Sequence, residues 1–317
     1  MSQPLSQHAR IYIAGHLGMI GSAFVRHFRA AGFNNLILRE HRELELTDSL
    51  AVDAFFAEQR PEVVILAAGK VGGIVENLTY PADFITCNLA IQSNVIQSAH
   101  RYAAKRLLFF GSSCMYPREC PQPMAEDALL SGKPETTSIA YAVAKLAGLH
   151  MCLAYNRQYG EQRFIPVIPN SVYGPNDNFD PQSGHVLSAL INRFHRAVGD
   201  GDLVTTLWGS GQPRREFLHA DDLANACHLL LTTELSDVEL PINIGSGYDL
   251  SIRELAQLIA RVVGYQGDIS WDTGRPDGTM RKLLDSSRLA TLGWQPGIEL
   301  EAGIRQTYAS FLESGHA

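Results

Sequence analysis

A tyrosine and a lysine stand four residues apart in the stretch "IAYAVAKLAG", within a pattern that predicts a helix over residues 139–160. Residues at this spacing share one helix face, so the side chains of Tyr141 and Lys145 are expected to lie side by side. A tyrosine can pass a proton to a forming alkoxide when a neighbouring ammonium lowers its pKa, which is about 10 in water. We expect Lys145 to supply that charge. The pair predicts carbonyl reduction, although the same spacing occurs by chance on many helices.

Two hydroxyls and a thiol stand at the end of a predicted strand. The apolar run "RLLFF" predicts a buried strand, and "GSSCMYP" follows it with Ser112, Ser113 and Cys114. Folds built on a parallel sheet bind their ligands at the carboxyl ends of the strands. That position favours a functional role for Cys114 over the usual one of a small packed hydrophobe. The remaining cysteines are assigned structural roles: Cys87, Cys120, Cys152 and Cys227.

Three glycines follow the first predicted strand, "IYIAG", in a G-x-x-G-x-x-G pattern that opens a helix: Gly15, Gly18 and Gly21. Glycines here allow the chain to turn tightly and to approach a pyrophosphate, which binds to the amides and the positive dipole of the helix N-terminus. A glycine pattern alone is weak, but its place in a strand-helix-strand rhythm predicts a dinucleotide site. The predicted cofactor contacts also include Tyr141 and Lys145, together with Met19, Ile20, Ala67 and Ala68.

The second predicted strand, "LILR", ends in Arg39. Enzymes that use NAD commonly carry an acidic residue there, which binds the ribose hydroxyls, whereas a basic residue favours the 2′-phosphate of NADP. Arg39, with Arg42 close by, therefore predicts NADP(H) as the cofactor. Glu40 and Glu43 leave open that both arginines are solvated loop charges.

Short apolar runs alternate with helical patterns through the first half of the chain. Five strand-helix alternations predict a Rossmann-type α/β fold, in which helices cover both faces of a doubly wound parallel sheet. The strands are continuous apolar runs, as expected where both faces are buried. The helices between them are predicted over residues 19–31, 48–59, 84–103 and 139–160.

The rhythm loosens after the fifth predicted strand, where Gly, Pro, Asn and Asp are frequent. We expect an NADP-binding Rossmann domain over residues 1–175 and a smaller C-terminal α/β substrate domain made mainly from residues 176–317. A helix is predicted over 186–198. Residues 215–231 predict a strand and an Asp-capped helix that return to the first domain. A further helix is predicted to begin near Ser251.

The composition argues against several classes of protein. With 45% hydrophobic and 19% charged residues, a formal net charge of −7 and a pI near 5.9, the chain gives no support for a nucleic-acid or anionic-membrane partner. No apolar run approaches the roughly 18 residues of a membrane span, and the polar opening lacks the core of a signal peptide, so a cytoplasmic location is expected. Five cysteines without a C-x-x-C pair predict neither a disulfide framework nor a zinc site, and no metal is expected.

Taken together, these motifs resemble the extended short-chain dehydrogenase/reductases. Within that family the chain is similar to the bifunctional members that epimerise C3 and C5 and reduce C4 of GDP-4-keto-6-deoxy-D-mannose. The resemblance covers nearly the whole chain, and its most specific segments are "VGGI" and "PDGTMRKLLD". It implies Ser112, Tyr141 and Lys145 as the reduction triad. It also implies Cys114 and His185 as the epimerisation pair.

The implied substrate, a GDP-linked keto-deoxy sugar, accounts for the pairing of a cysteine with a histidine. A ketone at C4 acidifies the C–H bonds at C3 and C5, so a base on one face and an acid on the other can invert each carbon through an enolate. The unperturbed pKa values of the two side chains, about 8.5 and about 6.5, bracket neutral pH, so both Cys114 and His185 can exchange protons there. Reduction removes the ketone and this acidity, so both inversions must precede it. The flexible-looking "QSGHV" segment leaves open that His185 is a surface histidine.

The resemblance also implies contacts to the GDP part of the substrate in the second domain. Arginine and lysine neutralise a diphosphate, and a tryptophan offers a flat apolar surface. The implied residues are Val186, Leu190, Arg193, Trp208, Arg215 and Lys282. Arg214 beside Arg215, and Arg281 beside Lys282, leave these two assignments open by one position.

A homodimer is a further implication of the resemblance. Members of the family are often dimeric through two helices of the first domain, here the helices predicted over residues 84–103 and 139–160. The apolar faces of these helices could equally be used to pack on the sheet.

The chain departs from the family pattern at several positions. Leu17 in the glycine loop and His41 after the second strand stand where family members carry arginines for the 2′-phosphate, which leaves the choice of NADP over NAD open. Ser171 stands where an asparagine is usual, with Asn170 one place earlier. Gly69 replaces an alanine near the nicotinamide.

Two other functions stay open from the sequence. A relative that acts on another nucleotide-linked keto or dideoxy sugar, or one that only reduces, would share most of these motifs. The presence of both Cys114 and His185 argues against reduction alone. A non-catalytic, nucleotide-sensing protein of the same fold usually lacks the tyrosine or the lysine, and this chain has both.

Overall fold

The computed structural model describes residues 5–181, 183–234, 239–275 and 277–314 of the chain. The helices in these ranges are α1 (Met19–Ala30), α2 (Ser49–Gln59), α3 (Ile74–Thr79), α4 (Pro81–Arg101), α5 (Ile139–Tyr159), α6 (Val186–Asp200), α7 (Ala220–Thr232), α8 (Ile252–Val263), α9 (Ser287–Thr291) and α10 (Leu300–Glu313). The strands are β1 (Ile11–Ala14), β2 (Leu36–Ile37), β3 (Val63–Leu66), β4 (Arg106–Phe110), β5 (Phe164–Pro169), β6 (Val172–Tyr173), β7 (Val204–Trp208), β8 (Arg214–Glu216), β9 (Leu218–His219), β10 (Ile242–Ile244), β11 (Asp249–Ser251), β12 (Asp268–Asp272) and β13 (Arg281–Lys282).

Six parallel strands form the central sheet, in the order β10-β5-β4-β3-β1-β2. Every residue of β1, β3 and β5 is buried, which explains why these strands are continuous apolar runs. The chain winds outward from β1 in one direction and from β3 in the other. A crevice therefore opens between the carboxyl ends of β1 and β3, where such folds bind ligands. The predicted doubly wound Rossmann fold is confirmed, and β10 is a sixth strand that the sequence did not predict.

Helices cover both faces of this sheet. On one face, apolar side chains of α1 and α7 form a cluster with the sheet, and on the other face those of α2, α4 and α5 do the same. Helix α2 begins where predicted because the Asp48 side chain accepts hydrogen bonds from two backbone amides of the first turn. Helix α5 ends at Gly160, whose φ of 64° is a left-handed conformation that favours glycine.

A third apolar cluster lies beyond the carboxyl edge of the sheet. It is formed mainly by α6, α8 and α10 together with Tyr173 and Phe217. Two small sheets border it, one with the strand order β11-β8-β13 and the other made of β12 and β7. The segment predicted over 215–231 leads from β8 through β9 into α7, which packs against α1. The small sheets carry several residues of the site described below.

One segment, Thr136–Tyr159, is long and apolar enough by composition to cross a membrane. It contains α5, which packs against α4, β4 and β5. Helices that cover a parallel sheet are apolar toward that sheet, so a core helix of this fold meets the same criteria.

Candidate active site

The end of β4 fixes the first two candidate residues. After Phe110 the chain turns into a short 3₁₀ segment, Ser113–Met115. The Ser112 side chain starts this turn, because its Oγ accepts a hydrogen bond from the backbone amide of Cys114 at 3.3 Å. Ser112 and Cys114 therefore lie together at the carboxyl end of the sheet, where the sequence placed them.

The phenol of Tyr141 lies near the start of α5, within hydrogen-bonding reach of Ser112. Burial raises the pKa of this phenol, Cys114 raises it further, and the hydrogen bond with Ser112 offsets part of the rise. We expected a lowered pKa for the Tyr141 phenol, and its raised pKa corrects that expectation. The Lys145 ammonium is 5.8 Å from the centre of the Tyr141 ring, and burial is the largest cause of the raised pKa. A neutral phenol suits a proton donor, since it keeps its proton until an alkoxide forms.

Lys145 is buried one turn further along α5. Its burial lowers the pKa of the ammonium to about 8. Its Nζ lies 5.1 Å from the centre of the Phe109 ring on β4. Gly69 faces it: a Cβ added there would lie 3.6 Å from this Nζ and only 2.7 Å from Oδ1 of the buried Asn88. Glycine in place of the family's alanine thus leaves room for the Asn88 side chain.

The thiol of Cys114 is surrounded by donors and cations. Burial disfavours a thiolate here, but the charge of Lys282, the hydrogen bonds from Ser112 and Ser138 and the charge of Arg215 together lower the pKa of Cys114. The Lys282 Nζ lies 3.9 Å from the sulfur. Sequence reasoning missed Ser138, which precedes α5 and carries no motif of its own.

The pairing of β13 with β8 decides which cations face the thiol. In this parallel pair Lys282 is opposite Arg215, and Arg281 is opposite Arg214. Successive side chains of a strand point to opposite faces of a sheet. Arg214 donates to Asp249 at 2.8 Å, and Arg281 binds the same carboxylate. Of these two pairs, Arg215 and Lys282 are therefore the residues that lie on the side of Cys114.

His185 is exposed at the start of α6, and Asp177 is the charged residue beside it. Burial raises the pKa of the Asp177 carboxyl, and the charge of His185 offsets part of this rise. The Ser188 hydroxyl donates to the His185 carbonyl at 3.1 Å, and Oδ2 of Asp177 is buried without a hydrogen-bond partner. Asp177, which stands in the stretch "VYGPNDNF", was not predicted as a site residue.

His185 is connected to the Cys114 side of the site only through neighbouring segments of the described chain. In the described part of the chain no contact joins His185 directly to Cys114. The Gly73 amide donates to the Ser183 carbonyl at 3.2 Å, which ties the loop to the "VGGI" segment. Helix α3 follows this segment and packs against the turn Thr136–Ser138, which borders the thiol. The specific "VGGI" motif is thus the physical link between the two halves of the predicted epimerisation pair.

The other predicted substrate contacts differ in their exposure. Val186 and Arg193 are exposed on α6, and Trp208 is exposed at the end of β7. The Arg275 guanidinium lies 4.9 Å above the Trp208 ring, a cation-π contact that the sequence did not predict. The prediction that Leu190 contacts the substrate needs correction. Its side chain is buried in the third apolar cluster, so little of it is open to a ligand.

The glycine loop has the shape that a dinucleotide needs. Gly15 has φ +80°, and a Cβ there would lie 2.9 Å from the amide nitrogen of Ala68. A Cβ at Gly21 would collide with the Gly15 carbonyl.

Gly18 differs from these two glycines. A Cβ there would make only an ordinary contact at 3.5 Å, so the packing of the protein does not require a glycine at this position. Gly18 begins α1 without a side-chain cap, which leaves the amides of the first turn open to a pyrophosphate. Met19, Ile20 and Ala67 border the same loop.

Arg39 is the cation best placed for a 2′-phosphate. It follows β2, and its guanidinium lies 5.9 Å from the centre of the Phe55 ring. No carboxylate in the described ranges pairs with Arg39, whereas His41 and Arg42 are each paired with a glutamate. Leu17 is exposed at the tip of the glycine loop and offers no charge.

The chain is similar to known proteins over most of its length. A model of the NAD dependent epimerase/dehydratase family matches residues 11–245. GDP-L-fucose synthase 1 of Arabidopsis thaliana is 51% identical over 314 residues, which cover 99% of this chain and 96% of that protein. GDP-L-fucose synthase of Escherichia coli strain K12 is 51% identical over 312 residues, which cover 96% of this chain and 97% of that protein.

A solved structure extends the comparison to the fold. The GDP-L-fucose synthetase of Naegleria fowleri bound to NADP superimposes with a TM-score of 0.92 at 27% identity, covering 100% of this chain and 96% of that one. The family resemblance predicted from the motifs is confirmed.

Proposed function

Because this chain belongs to the NAD dependent epimerase/dehydratase family and is half identical to GDP-L-fucose synthases over nearly its whole length, we propose that it converts GDP-4-keto-6-deoxy-D-mannose to GDP-L-fucose. The reaction inverts C3 and C5 of the keto sugar and reduces C4 with NADPH. One observation carries the proposal: Ser112 is within hydrogen-bonding reach of both the Tyr141 phenol and the Cys114 thiol. A single carbonyl bound at Ser112 therefore meets the reductive and the epimerising groups together.

The GDP end of the substrate is held by the second region of the molecule. Arg215 and Lys282 stand side by side on β8 and β13, where they can neutralise the diphosphate. Trp208 offers an exposed flat surface, with Arg275 above it, and Arg193 adds a cation on α6. Because Arg215 and Lys282 also border the thiol, the sugar attached to the diphosphate lies next to Cys114.

Epimerisation uses Cys114 and His185 on opposite faces of the sugar. The Cys114 thiolate takes the proton from C3 or C5, and the electron pair of that C–H bond moves onto the carbonyl oxygen. Ser112 and Tyr141 donate hydrogen bonds to the resulting enolate oxygen. His185, beside Asp177, returns a proton to the other face of the carbon.

Reduction uses the same carbonyl oxygen. Bound NADPH supplies a hydride for C4. Tyr141 gives its proton to the C4 oxygen, and Ser112 holds that oxygen in place. Lys145 carries the positive charge that stabilises the phenolate left on Tyr141, and it would hold the nicotinamide ribose when the cofactor is bound.

Cofactor binding rests on residues at the crevice between β1 and β3. The pyrophosphate is held at the uncapped start of α1 by the loop of Gly15, Gly18 and Gly21. Arg39 binds the 2′-phosphate, which makes NADP(H) the cofactor even though Leu17 and His41 supply no arginine.

The enzyme is proposed to act as a homodimer through α4 and α5. Residues 84–99 of α4 contain no Asp, Glu, Lys or Arg. On α5, Ile139 and Val143 are 41% and 43% exposed, although both are apolar. The exposed residues of this stretch, Thr86 and Gln97, are uncharged, and exposed apolar side chains on the adjacent helix are typical of an interface with a second copy.

The test of the proposed function is the stereochemistry of the product. The purified protein, supplied with GDP-4-keto-6-deoxy-D-mannose and NADPH, should oxidise NADPH and release GDP-L-fucose, identified by NMR coupling constants at C3, C4 and C5. A reduced sugar that keeps its original configuration at C3 and C5 would contradict the proposal, as would the absence of NADPH oxidation.

A further inference from the structure

Lys282 has an unusual partner. Its ammonium lies 3.9 Å from the sulfur of Cys114, and no carboxylate in the described ranges forms an ion pair with it. A neutral thiol is a weak acceptor, so it offers little to a half-buried ammonium. A thiolate at the same distance offers a full opposite charge, and an opposite charge within about 4–6 Å favours the charged form of its neighbour. The pair makes physical sense when the sulfur is ionised.

The backbone that carries Lys282 is held by the protein itself. The carbonyl of Lys282 accepts a hydrogen bond from Nδ2 of the buried Asn170 at 3.1 Å. The Leu283 amide donates to Gln122 Oε1 at 2.9 Å, and the Leu283 carbonyl accepts from the Met124 amide at 2.8 Å. These bonds tie β13 to the end of β5 and to the segment that follows the Cys114 turn. The position of Lys282 next to the thiol therefore needs no ligand to create it.

From this arrangement we propose that Lys282 is a positioning residue for the epimerisation, holding the Cys114 side chain as a thiolate in the resting enzyme. This role rests on the proposed function, which gives the thiolate its use. It goes beyond a contact with the diphosphate, because it acts on the thiol before any nucleotide binds. Arg215, opposite Lys282 on β8, adds a second positive charge on the same side.

Two successive inversions require the Cys114 thiolate to form twice. After the first inversion the sulfur has gained a proton, and His185 has lost one. The second inversion requires the starting forms again, so the Cys114 proton must leave and a proton must return to His185. A fixed ammonium beside the sulfur lowers the free energy of the thiolate each time it forms. Lys282 therefore stabilises the thiolate once for each carbon that is inverted.

The test measures the thiolate directly, with no sugar present. Iodoacetamide is uncharged and reacts with thiolates, so its rate of reaction with Cys114 across a range of pH reports how much of the thiol is ionised. The alkylated peptide is quantified by mass spectrometry in the wild type, Lys282→Met and Lys282→Arg. Arg281→Met is the matched control, because it removes a cation from the neighbouring position of β13, where the side chain is bound to Asp249.

We expect Cys114 of Lys282→Met to react more slowly at neutral pH, on the order of tenfold, and its pH profile to move to higher pH. Lys282→Arg and Arg281→Met should stay near the wild type. An unchanged profile in Lys282→Met would overturn the proposal. Loss of NADPH binding in Lys282→Met would indicate misfolding, and Lys282→Gln is then tested by the same criterion. Unchanged alkylation of Cys87 and Cys120 in the same sample shows that the fold is intact.

Kinetics separate this role from diphosphate binding. Lys282→Met should slow deuterium exchange at C3 and C5 more than it slows reduction of an already inverted keto sugar, whereas loss of a diphosphate contact alone would raise KM for both alike. Equal losses would count against a positioning role. The alkylation profile needs no substrate, so it tests the Lys282–Cys114 pair independently of the proposed function. If the wild type makes no GDP-L-fucose but Lys282→Met still slows alkylation of Cys114, the proposed function is rejected and the role of Lys282 in ionising the thiol stands.

Discussion

Arg39 is the side chain proposed to select NADP(H) as the cofactor. It has no carboxylate partner in the described ranges and lies at the end of β2, so its charge is available to a 2′-phosphate. Arg42 is close in sequence, but its guanidinium is paired with Glu40 at 2.8 Å. The absence of arginine at Leu17 and His41 leaves Arg39 as the principal anchor.

Replacement of Arg39 should therefore weaken NADPH selectively. A charge-assisted hydrogen bond contributes about 1.5–3 kcal/mol, so Arg39→Ala is expected to raise KM for NADPH by on the order of tenfold or more, with little change for NADH. Arg42→Ala is the control and should change neither value. Steady-state kinetics with both cofactors check this, and an equal rise for NADPH and NADH would show that Arg39 does not recognise the 2′-phosphate.

Lys145 gives the reduction a defined pH dependence. Its buried ammonium has a pKa lowered to about 8, so the charged form is present below that pH and is lost as the pH rises through it. If this charge supports Tyr141, kcat/KM for the reduction of an inverted keto sugar should fall above about pH 8. Lys145→Arg keeps its charge over the whole range and should remove this fall, at a lower maximal rate. A wild-type profile that stays flat through this region would contradict the role of Lys145.

At the scale of residues, the sequence predicted the side chains that are positioned by their own strand or helix. It missed side chains whose role depends on contacts made in the folded structure. Ser112, Cys114, Tyr141 and Lys145 could be found because a strand end and a helix spacing place them. The pKa of Tyr141 could not be predicted, because burial depends on the packed structure. Asp177 and Ser138 were missed for the same reason: each acts on a partner from another segment.

The loop that carries His185 is held by its own hydrogen bonds. The Gly184 amide donates to the Asp180 carbonyl at 2.8 Å, and the Asn178 side chain donates to Ser183 Oγ at 3.0 Å. A Cβ at Gly184 would collide with the backbone carbonyls of Asn178 and Asp180, which cannot move without opening the loop. These contacts fix the backbone of Gly184, directly before His185.

Gly184→Ala should displace His185 and spare the reduction. A misplacement of about 1 Å can slow a reaction by up to about 100-fold, so deuterium exchange at C3 and C5 should fall strongly while an inverted keto sugar is still reduced. Gly199→Ala is the matched control on α6, because a Cβ there meets nothing within 4 Å. Deuterium exchange at C3 and C5, followed by NMR in both variants, tests this prediction. Undiminished exchange in Gly184→Ala would show that this loop does not position His185.

At the scale of elements, the long helices and buried strands followed from apolar patterns, and the short strands did not. Strand β10 joins the sheet next to β5, although a long stretch of chain separates them. Strand β13 has two residues, and only its pairing with β8 turns Lys282 toward the thiol and Arg281 away from it. Such pairings depend on tertiary contacts that a local pattern does not contain.

At the scale of the whole molecule, the uncharged surface of α4 and α5 predicts a dimer that charge can break. Val143→Arg places a cation on this surface and should convert the dimer to a monomer, measured by size-exclusion chromatography with light scattering. Leu312→Arg is the control, since Leu312 is a similarly exposed apolar residue on α10. A wild type that is monomeric at micromolar concentration would exclude this interface.

The molecule as a whole brings two chemistries to one carbonyl. The central sheet supplies the cofactor crevice and Ser112, α5 supplies Tyr141, and the small sheet of β8 and β13 supplies the cations beside Cys114. Because reduction destroys the acidity on which inversion depends, this shared carbonyl imposes an order in which both inversions come first.

The most direct measurement is the fate of solvent hydrogen in a single round of catalysis. The wild-type enzyme, given GDP-4-keto-6-deoxy-D-mannose and NADPH in heavy water, should release GDP-L-fucose with deuterium at both C3 and C5 and with protium from NADPH at C4. A reduced product without deuterium at either carbon would contradict the account, because the thiol and the imidazole would then have exchanged no proton with the sugar.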